Sequence, residues 1–340
     1  MQFTPWENPM GTDGFEFVEY AAPDPAALGS LFEQLGFTAI ARHRHKNVTL
    51  YRQGGVNFII NAEPNSFAQR FARLHGPSVC AMAFRVEDAS QAYARALELG
   101  AWGFDNQTGP MELNIPAIKG IGDSLIYFVD RWHGKGGAAP GAIGDISIYD
   151  VDFVPIPGAA AEPLGHGLTY IDHLTHNVHR GRMKEWADFY ERLFDFREVR
   201  YFDIEGKLTG LKSKAMTSPC GKIRIPINEA GNEQAGHIQQ HLDRSDQLVQ
   251  VRLVAQLDGV RDDLRADAVE ETETLVADGH GLDLHALGFL RVLGMRVVHR
   301  EHVGRHVIDF LGLEHGAPRR HALVEHAGRI EHPPADAVEH

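Results

Sequence analysis

The chain has 340 residues, of which 46 are acidic and 33 basic, so its formal net charge is -13 at pH 7. This acidic balance argues against a nucleic acid or an anionic membrane surface as partner and favours small molecules. The opening segment lacks the features of a signal peptide, and no run approaches the roughly 20 apolar residues that span a bilayer, which predicts a cytoplasmic protein. Cys80 and Cys220 are too few for a disulfide framework and are expected to be free thiols.

The first part of the chain has the pattern of one strand, one helix and three strands. FEFVEYA predicts the first strand, and Asp24 followed by Pro25 predicts the start of a helix that ends at Gly36. Four apolar residues recur at helical spacing between these limits: Leu28, Leu31, Phe32 and Leu35. TAIARH, NVTLYR and VNFII then predict three short strands.

The same pattern returns twice. VCAMAFRV, ASQAYARALELG and SLIYFV predict a second unit, and Gly-, Pro- and Ala-rich stretches at 132–141 and 155–167 mark a domain boundary. LTYIDHLTHNVH and RMKEWADFYERLFDF then predict a strand and a helix, with strands at VRYFDI, LTGLKS and KIRIPIN. We therefore predict an α+β fold of repeated βαβββ modules that form open barrels, with domains at 1–154 and 165–340. Unrelated α+β elements of similar size are the alternative.

His173 is the candidate ligand that strand alternation singles out. Alternation places it on one face with Ile171 and Thr175, and its neighbour Asp172 on the opposite face. A strand can hold an imidazole rigidly toward an interior, as a metal ligand must be held. The alternative is a satisfied core or surface histidine. Two later histidines of the stretch are expected to face solvent: His176 and His179.

Several stretches resemble bacterial 4-hydroxyphenylpyruvate dioxygenases of the vicinal oxygen chelate (glyoxalase-like) superfamily. They are GTDGFEFVEYAAPDPAAL, HRHKNVTLYRQGGVNFIINAEP, ELNIPAIKGIGDSLIYFVDRW, YIDHLTHNV, RYFDIEG and SKAMTSPCGKIRIPINE, and together they cover about residues 5–240. The resemblance implies two domains of two βαβββ modules each, of which only the second holds Fe(II), bound by two histidines and one glutamate. It also implies an assembly of two or four copies.

The implied reaction takes 4-hydroxyphenylpyruvate and O2. Oxidative decarboxylation and ring hydroxylation give homogentisate, a step of tyrosine and phenylalanine catabolism. By the resemblance, His173 corresponds to the first iron histidine, and Ser213 and Asn228 correspond to polar residues of the substrate pocket. A hydroxyl and an amide suit a phenol or keto oxygen because they add no competing charge. The alternatives are a solvated strand hydroxyl for Ser213 and a turn residue for Asn228.

The resemblance ends near residue 240. Strings similar to GIQH and FFEFIQR, which would supply the second histidine and the glutamate, do not occur, so two ligands have no matching position and the second domain is expected to be incomplete. Residues 241–340 contain no Lys, Asn, Tyr, Trp or Cys but eleven of the 20 histidines. A high-GC gene read out of frame, or a misjoined sequence, explains this composition, and translation of the DNA in its other frames tests that hypothesis.

The competing interpretation is a genuine replacement segment. LDGVRDDLRADAVEETETLVADG permits an amphipathic helix, and three histidines would share one face if their segment were helical: His299, His302 and His306. Two other functions follow from the missing ligands and pocket residues. One is a catalytically inactive family member whose first domain serves folding or association, and the other is an oxygenase similar to hydroxymandelate synthase.

Overall fold

The computed structural model describes residues 3–105, 108–109, 111–132, 146–205, 210–230, 248–255, 296–302 and 305–311. Residues 201–205, 210–211 and those after 247 are described by their backbone alone. These parts of the chain form two mixed sheets with helices packed on them, which confirms the predicted α+β class. None of the helices described here has the length and apolarity that a membrane span requires.

The first module has the predicted order. Its elements are β1 (Phe15–Ala21), α1 (Pro25–Gln34), β2 (Thr38–His43), β3 (Val48–Gln53) and β4 (Val56–Asn61). The side chain of Asp24 accepts a hydrogen bond from the Ala27 backbone N–H at 2.9 Å, so it caps the helix as predicted. The helix ends at the C-cap Leu35, and Gly36 follows with a φ of 86°.

The second module joins the first through its opening strand. Its elements are α2 (Phe67–His75), β5 (Ser78–Arg85), α3 (Ala89–Glu98), β6 (Gly103–Phe104), β7 (Ala117–Lys119) and β8 (Leu125–Val129), and α4 (Ile148–Asp152) and β9 (Phe153–Pro155) follow. The nine strands have the order β6-β7-β8-β5-β1-β4-β3-β2-β9. Within each module the first strand pairs parallel with the last, and β1 pairs antiparallel with β5.

The third module repeats this arrangement in the second sheet. Its elements are β10 (Leu168–Val178), α5 (Met183–Phe194), β11 (Arg197–Glu205), β12 (Gly210–Thr217) and β13 (Arg224–Ala230). β10 pairs parallel with β13, as β1 does with β4. The buried carboxylate of Glu229 accepts hydrogen bonds from the Gly181 and Met183 backbone N–H groups at 2.9 and 3.2 Å, and so attaches β13 to the start of α5.

The second sheet continues beyond the segment that the resemblance covers. It adds β14 (Leu248–Ala255), β15 (Arg296–His302) and β16 (Arg305–Leu311), in the order β11-β12-β13-β10-β14-β16-β15. β14 pairs antiparallel with β10, so β10 has a neighbouring strand on the side away from β13. The valine-rich sequence of β14 suits a strand. However, β14 pairs antiparallel with β16, whereas the other modules pair their first and last strands parallel.

The two sheets and their helices share one apolar core. The ring of Phe84 on β5 lies 5.3 Å from that of Phe194 and 6.3 Å from that of Phe196, both in the third module. The indole N–H of Trp6 donates to the Asp195 backbone carbonyl at 2.9 Å. The first two modules therefore support α5, which covers one face of β10.

Candidate functional site

A bulge in β10 determines which residues share a face with His173. Ile171 pairs with Leu253 and His173 with Arg252, so Asp172 is an extra residue without a register partner on β14. Ile171 is consequently buried in the core, and Asp172 Oδ2 lies 2.8 Å from His173 Nδ1. The prediction that Ile171 shares the face of His173 and that Asp172 points away is therefore wrong.

The residues after the bulge alternate regularly. Leu174 and Val178 belong to the apolar core on the α5 side and His176 contacts Tyr190 of α5, whereas Thr175 and Asn177, which are also buried, belong to no apolar cluster. Alternation then places the remaining residues on the opposite face of the sheet. We call this surface the pocket face and define it by His173, Thr175, Asn177, Ser213 and Asn228.

His176 lies on the side of β10 that α5 covers. Its ring is fully buried, and its Nδ1 lies 3.3 Å from the Tyr190 hydroxyl. Burial lowers the pKa of His176 to about 3, so the imidazole is neutral at physiological pH. Its Nε2 has no hydrogen-bond partner among the residues whose side chains are described. The expectation that His176 faces solvent is wrong because α5 packs over it, and His179 is half-buried just beyond the strand.

Three polar residues lie side by side on neighbouring strands of the pocket face. Ser213 on β12 pairs with Asn228 on β13, which pairs with Asn177 on β10. The Asn228 side-chain amide donates to the Asn177 side-chain oxygen at 3.3 Å. Ile227, next to Asn228, is buried in the core on the other side. Asn177 was not singled out from the sequence, although counting alternate residues from His173 reaches it.

The three polar residues of neighbouring strands and His173 lie at different positions along the direction of β10. Asn177 is four residues beyond His173, which corresponds to about 13 Å along a strand. Thr175, which is largely buried, lies between them. The pocket face therefore offers an imidazole at one end and amide and hydroxyl groups at the other.

A three-ligand iron site does not fit the residues that the structure describes. In that part of the chain no three His, Cys, Asp or Glu residues come together in a group that could hold a metal ion. The register partner of His173 on β14 is Arg252, and that of Arg252 on β16 is Asp309. A guanidinium offers no lone pair to a metal. His173 is thus the one expected ligand with a position in the described sheet.

The histidines of β15 and β16, the other possible metal ligands, do not pair with strand positions close to His173. The expectation of one helical face for His299, His302 and His306 is wrong, because these residues lie in the strands β15 and β16. His306 pairs with Ala255, which pairs with Leu168, five residues before His173. Both cysteines are free thiols, as predicted.

Two family models match the chain. Residues 6–154 match the model described as "Hydroxyphenylpyruvate dioxygenase, HPPD, N-terminal". Residues 170–282 match that of the "Glyoxalase/Bleomycin resistance protein/Dioxygenase superfamily", which extends past the point where the predicted resemblance ends. Together these matches cover most of the first sheet and the second sheet as far as β14, whereas β15 and β16 lie beyond residue 282.

Curated relatives are similar over about two thirds of the chain. The 4-hydroxyphenylpyruvate dioxygenase of Pseudomonas sp. (strain P.J. 874) is 58% identical over 237 residues, which is 70% of this chain and 64% of the relative. The enzyme of the same name from Pseudomonas aeruginosa is 56% identical over 229 residues, 66% of this chain and 61% of the relative. The chain therefore spans less than two thirds of the length of these relatives.

Solved structures agree with this similarity. A xylose isomerase-like TIM barrel/4-hydroxyphenylpyruvate dioxygenase fusion protein superposes with a TM-score of 0.53 at 36% identity, over 68% of this chain and 34% of that chain. A triple variant of 4-hydroxymandelate synthase from Streptomyces coelicolor superposes with a TM-score of 0.58 over 71% and 70% of the two chains. At 21% identity, the second likeness shows the fold alone.

Proposed function

We propose, from its similarity to the hydroxyphenylpyruvate dioxygenase family, that this chain acts as a 4-hydroxyphenylpyruvate dioxygenase, with 4-hydroxyphenylpyruvate and O2 as substrates and homogentisate as product. The observation that carries the proposal is the pocket face, which brings His173 together with the two polar residues that the resemblance implied, Ser213 and Asn228. We also propose an assembly of two or four copies, which light scattering of the purified chain tests.

The described residues support substrate binding directly. A hydroxyl and two side-chain amides can both donate and accept hydrogen bonds, so they can hold a phenol or a keto oxygen without a formal charge. Two of these residues, Asn177 and Asn228, are already in contact, which limits the freedom of their amides before a ligand binds. We assign the orientation of the substrate to Asn177, Ser213 and Asn228.

Iron enters the proposal through His173 alone. We propose that this imidazole is the first Fe(II) ligand, as the resemblance implies. The second histidine and the glutamate have no counterpart among the described residues, and Arg252 is the register partner of His173. We therefore derive no iron-dependent step from the described sheet.

An inactive family member is the second candidate, and a specific observation favours it. The strand that should continue the iron site, β14, carries Arg252 opposite His173 and pairs antiparallel with β16. Under this alternative the pocket face binds the keto acid and does not turn it over. An oxygenase similar to hydroxymandelate synthase is distinguished from both candidates by its product.

Assays of the purified full chain separate these candidates. A chain that acts as a dioxygenase would bind stoichiometric iron after anaerobic reconstitution with Fe(II), and would release CO2 and homogentisate in equal amounts after addition of keto acid and O2. His173→Gln should abolish iron binding and turnover, whereas His179→Gln, a half-buried histidine beyond the strand, should retain both. An iron-free chain that binds the keto acid without releasing CO2 would establish the inactive candidate, and hydroxymandelate as product would establish the third.

A further inference from the structure

A chain of three charged or polar side chains lies at the bulge of β10. Asp172 Oδ2 lies 2.8 Å from His173 Nδ1, and Asp172 Oδ1 accepts a hydrogen bond from Arg224 Nη1 at 2.7 Å. The exposed fraction of these side chains rises from 16% for His173 to 21% for Asp172 and 49% for Arg224. The contacts thus connect the partly buried His173 through Asp172 to the more exposed Arg224, the first residue of β13.

These contacts determine which nitrogen of His173 carries the hydrogen. A neutral imidazole has one N–H donor and one acceptor nitrogen, and an ionised carboxylate can only accept. Asp172 therefore requires Nδ1 to be the donor, which leaves the lone pair on Nε2.

The bulge makes this geometry possible. In a regular strand, adjacent side chains point to opposite faces, and Asp172 would lie away from the imidazole. The extra residue in β10 turns the carboxylate toward Nδ1 instead. Arg224 then holds the second carboxylate oxygen from a different strand, so the aspartate is attached on both sides.

We propose that Asp172 and Arg224 are positioning residues that fix His173 as the Nδ1–H tautomer and so present the Nε2 lone pair to the pocket face. The inference rests on the proposed function in that it treats this face as the substrate site. Its test requires neither iron nor turnover, so the two proposals can fail independently. A neighbouring carboxylate that fixes the tautomer of a functional histidine is a common use of such contacts.

The experiment measures the His173 tautomer by NMR of the metal-free full chain labelled with ¹⁵N-histidine, at about pH 8, where an ordinary imidazole is neutral. The signals of His173 are those missing from the His173→Gln spectrum. In the wild type we expect the Nδ1–H form. Asp172→Ala should shift the tautomer ratio by about tenfold, which corresponds to about 1.4 kcal/mol.

Three further variants keep the test decisive. Asp172→Asn retains an acceptor oxygen and should therefore keep more of the Nδ1–H form than Asp172→Ala. Arg224→Gln should shift the tautomer ratio less than Asp172→Ala, because the Asp172 carboxylate remains. Asp188→Ala removes the exposed ion pair with Lys184 on α5 and should leave the His173 signals unchanged. A wild type in the Nε2–H form, or an unchanged ratio in both Asp172→Asn and Arg224→Gln, would overturn the proposal even if Asp172→Ala does not fold.

Discussion

At the scale of single residues, the histidines of β10 show how position in the strand decides chemistry. His173 and His176 are three residues apart, yet one lies on the pocket face with a carboxylate partner and the other is buried beneath α5. Burial disfavours the charged form of His176 and lowers its pKa to about 3.

Because the folded pKa of His176 is lowered, its protonation favours the unfolded chain. Above pH about 6.5 both states are neutral and the residue costs nothing. As the pH falls from about 6.5 to about 3, the unfolded state binds the proton first and stability decreases by up to about 1.4 kcal/mol per unit. Urea unfolding of His176→Leu at several pH values should show a shallower decrease than the wild type. An unchanged slope would contradict this assignment, and His179→Gln is the matched control.

The amides of the pocket face give a second prediction at this scale. Asn177→Leu removes a group in contact with Asn228 and leaves that amide without its partner, so it should raise the Kd for 4-hydroxyphenylpyruvate by about tenfold. Anaerobic titration calorimetry measures this change. Asn47→Ala, which alters an exposed side chain in the first module, should bind like the wild type. Equal affinity in all three proteins would remove Asn177 from the site.

At the scale of elements, the sequence predicted the strand β10 and the helix α5 that follows it. It did not predict the bulge within β10 that sets which residues share a face with His173. The alternation of LTYIDHLTHNVH is visible locally, whereas the extra residue depends on register with β14, about 80 residues later. Asn177 was missed because regular alternation was not carried past Thr175. The first residue of β10, Leu168, packs closely against the turn between β3 and β4.

That turn gives a prediction with an internal control. Gly54 has a φ of 51°, and a Cβ there would lie 2.2 Å from the Leu168 carbonyl oxygen, whereas Gly100 has a φ of 86° and open space around its Cβ position. Alanine at Gly100 should cost only the conformational strain, about 1–2 kcal/mol. Gly54→Ala should cost more than about 3 kcal/mol because β10 must also shift. Similar unfolding free energies for the two variants would show that the turn does not position β10.

At the scale of the whole molecule, the repeated module was predictable because its helix and strand periodicities recur, and the shared core was not. The contacts of Phe84 with Phe194 and Phe196 join residues about 110 positions apart and follow from packing alone. The same limit applies after residue 240, where the resemblance ends: the pairing of β14 with β10 joins residues about 80 positions apart. The antiparallel pairing of β14 with β16 is visible only in the assembled sheet.

The shared core predicts that damage in the first module spreads to the third. Phe84→Ala should cost about 3–5 kcal/mol and should speed amide hydrogen exchange in α5 as well as in β5. Phe17→Ala is the matched control, because Phe17 packs against Tyr127 on the other side of the first sheet. Its exchange increase should be confined to the first sheet. Unaltered exchange of α5 in Phe84→Ala would mean that the two domains are energetically independent.

The most direct test of the central claim is a crystal structure of the full chain with 4-hydroxyphenylpyruvate bound under anaerobic conditions. We predict that the keto acid lies along the pocket face, with one end near the Nε2 of His173 and the other within hydrogen-bond distance of Asn177, Asn228 or Ser213. A ligand bound elsewhere, or a His173 side chain that faces bulk solvent outside any concave sheet, would contradict the proposed site.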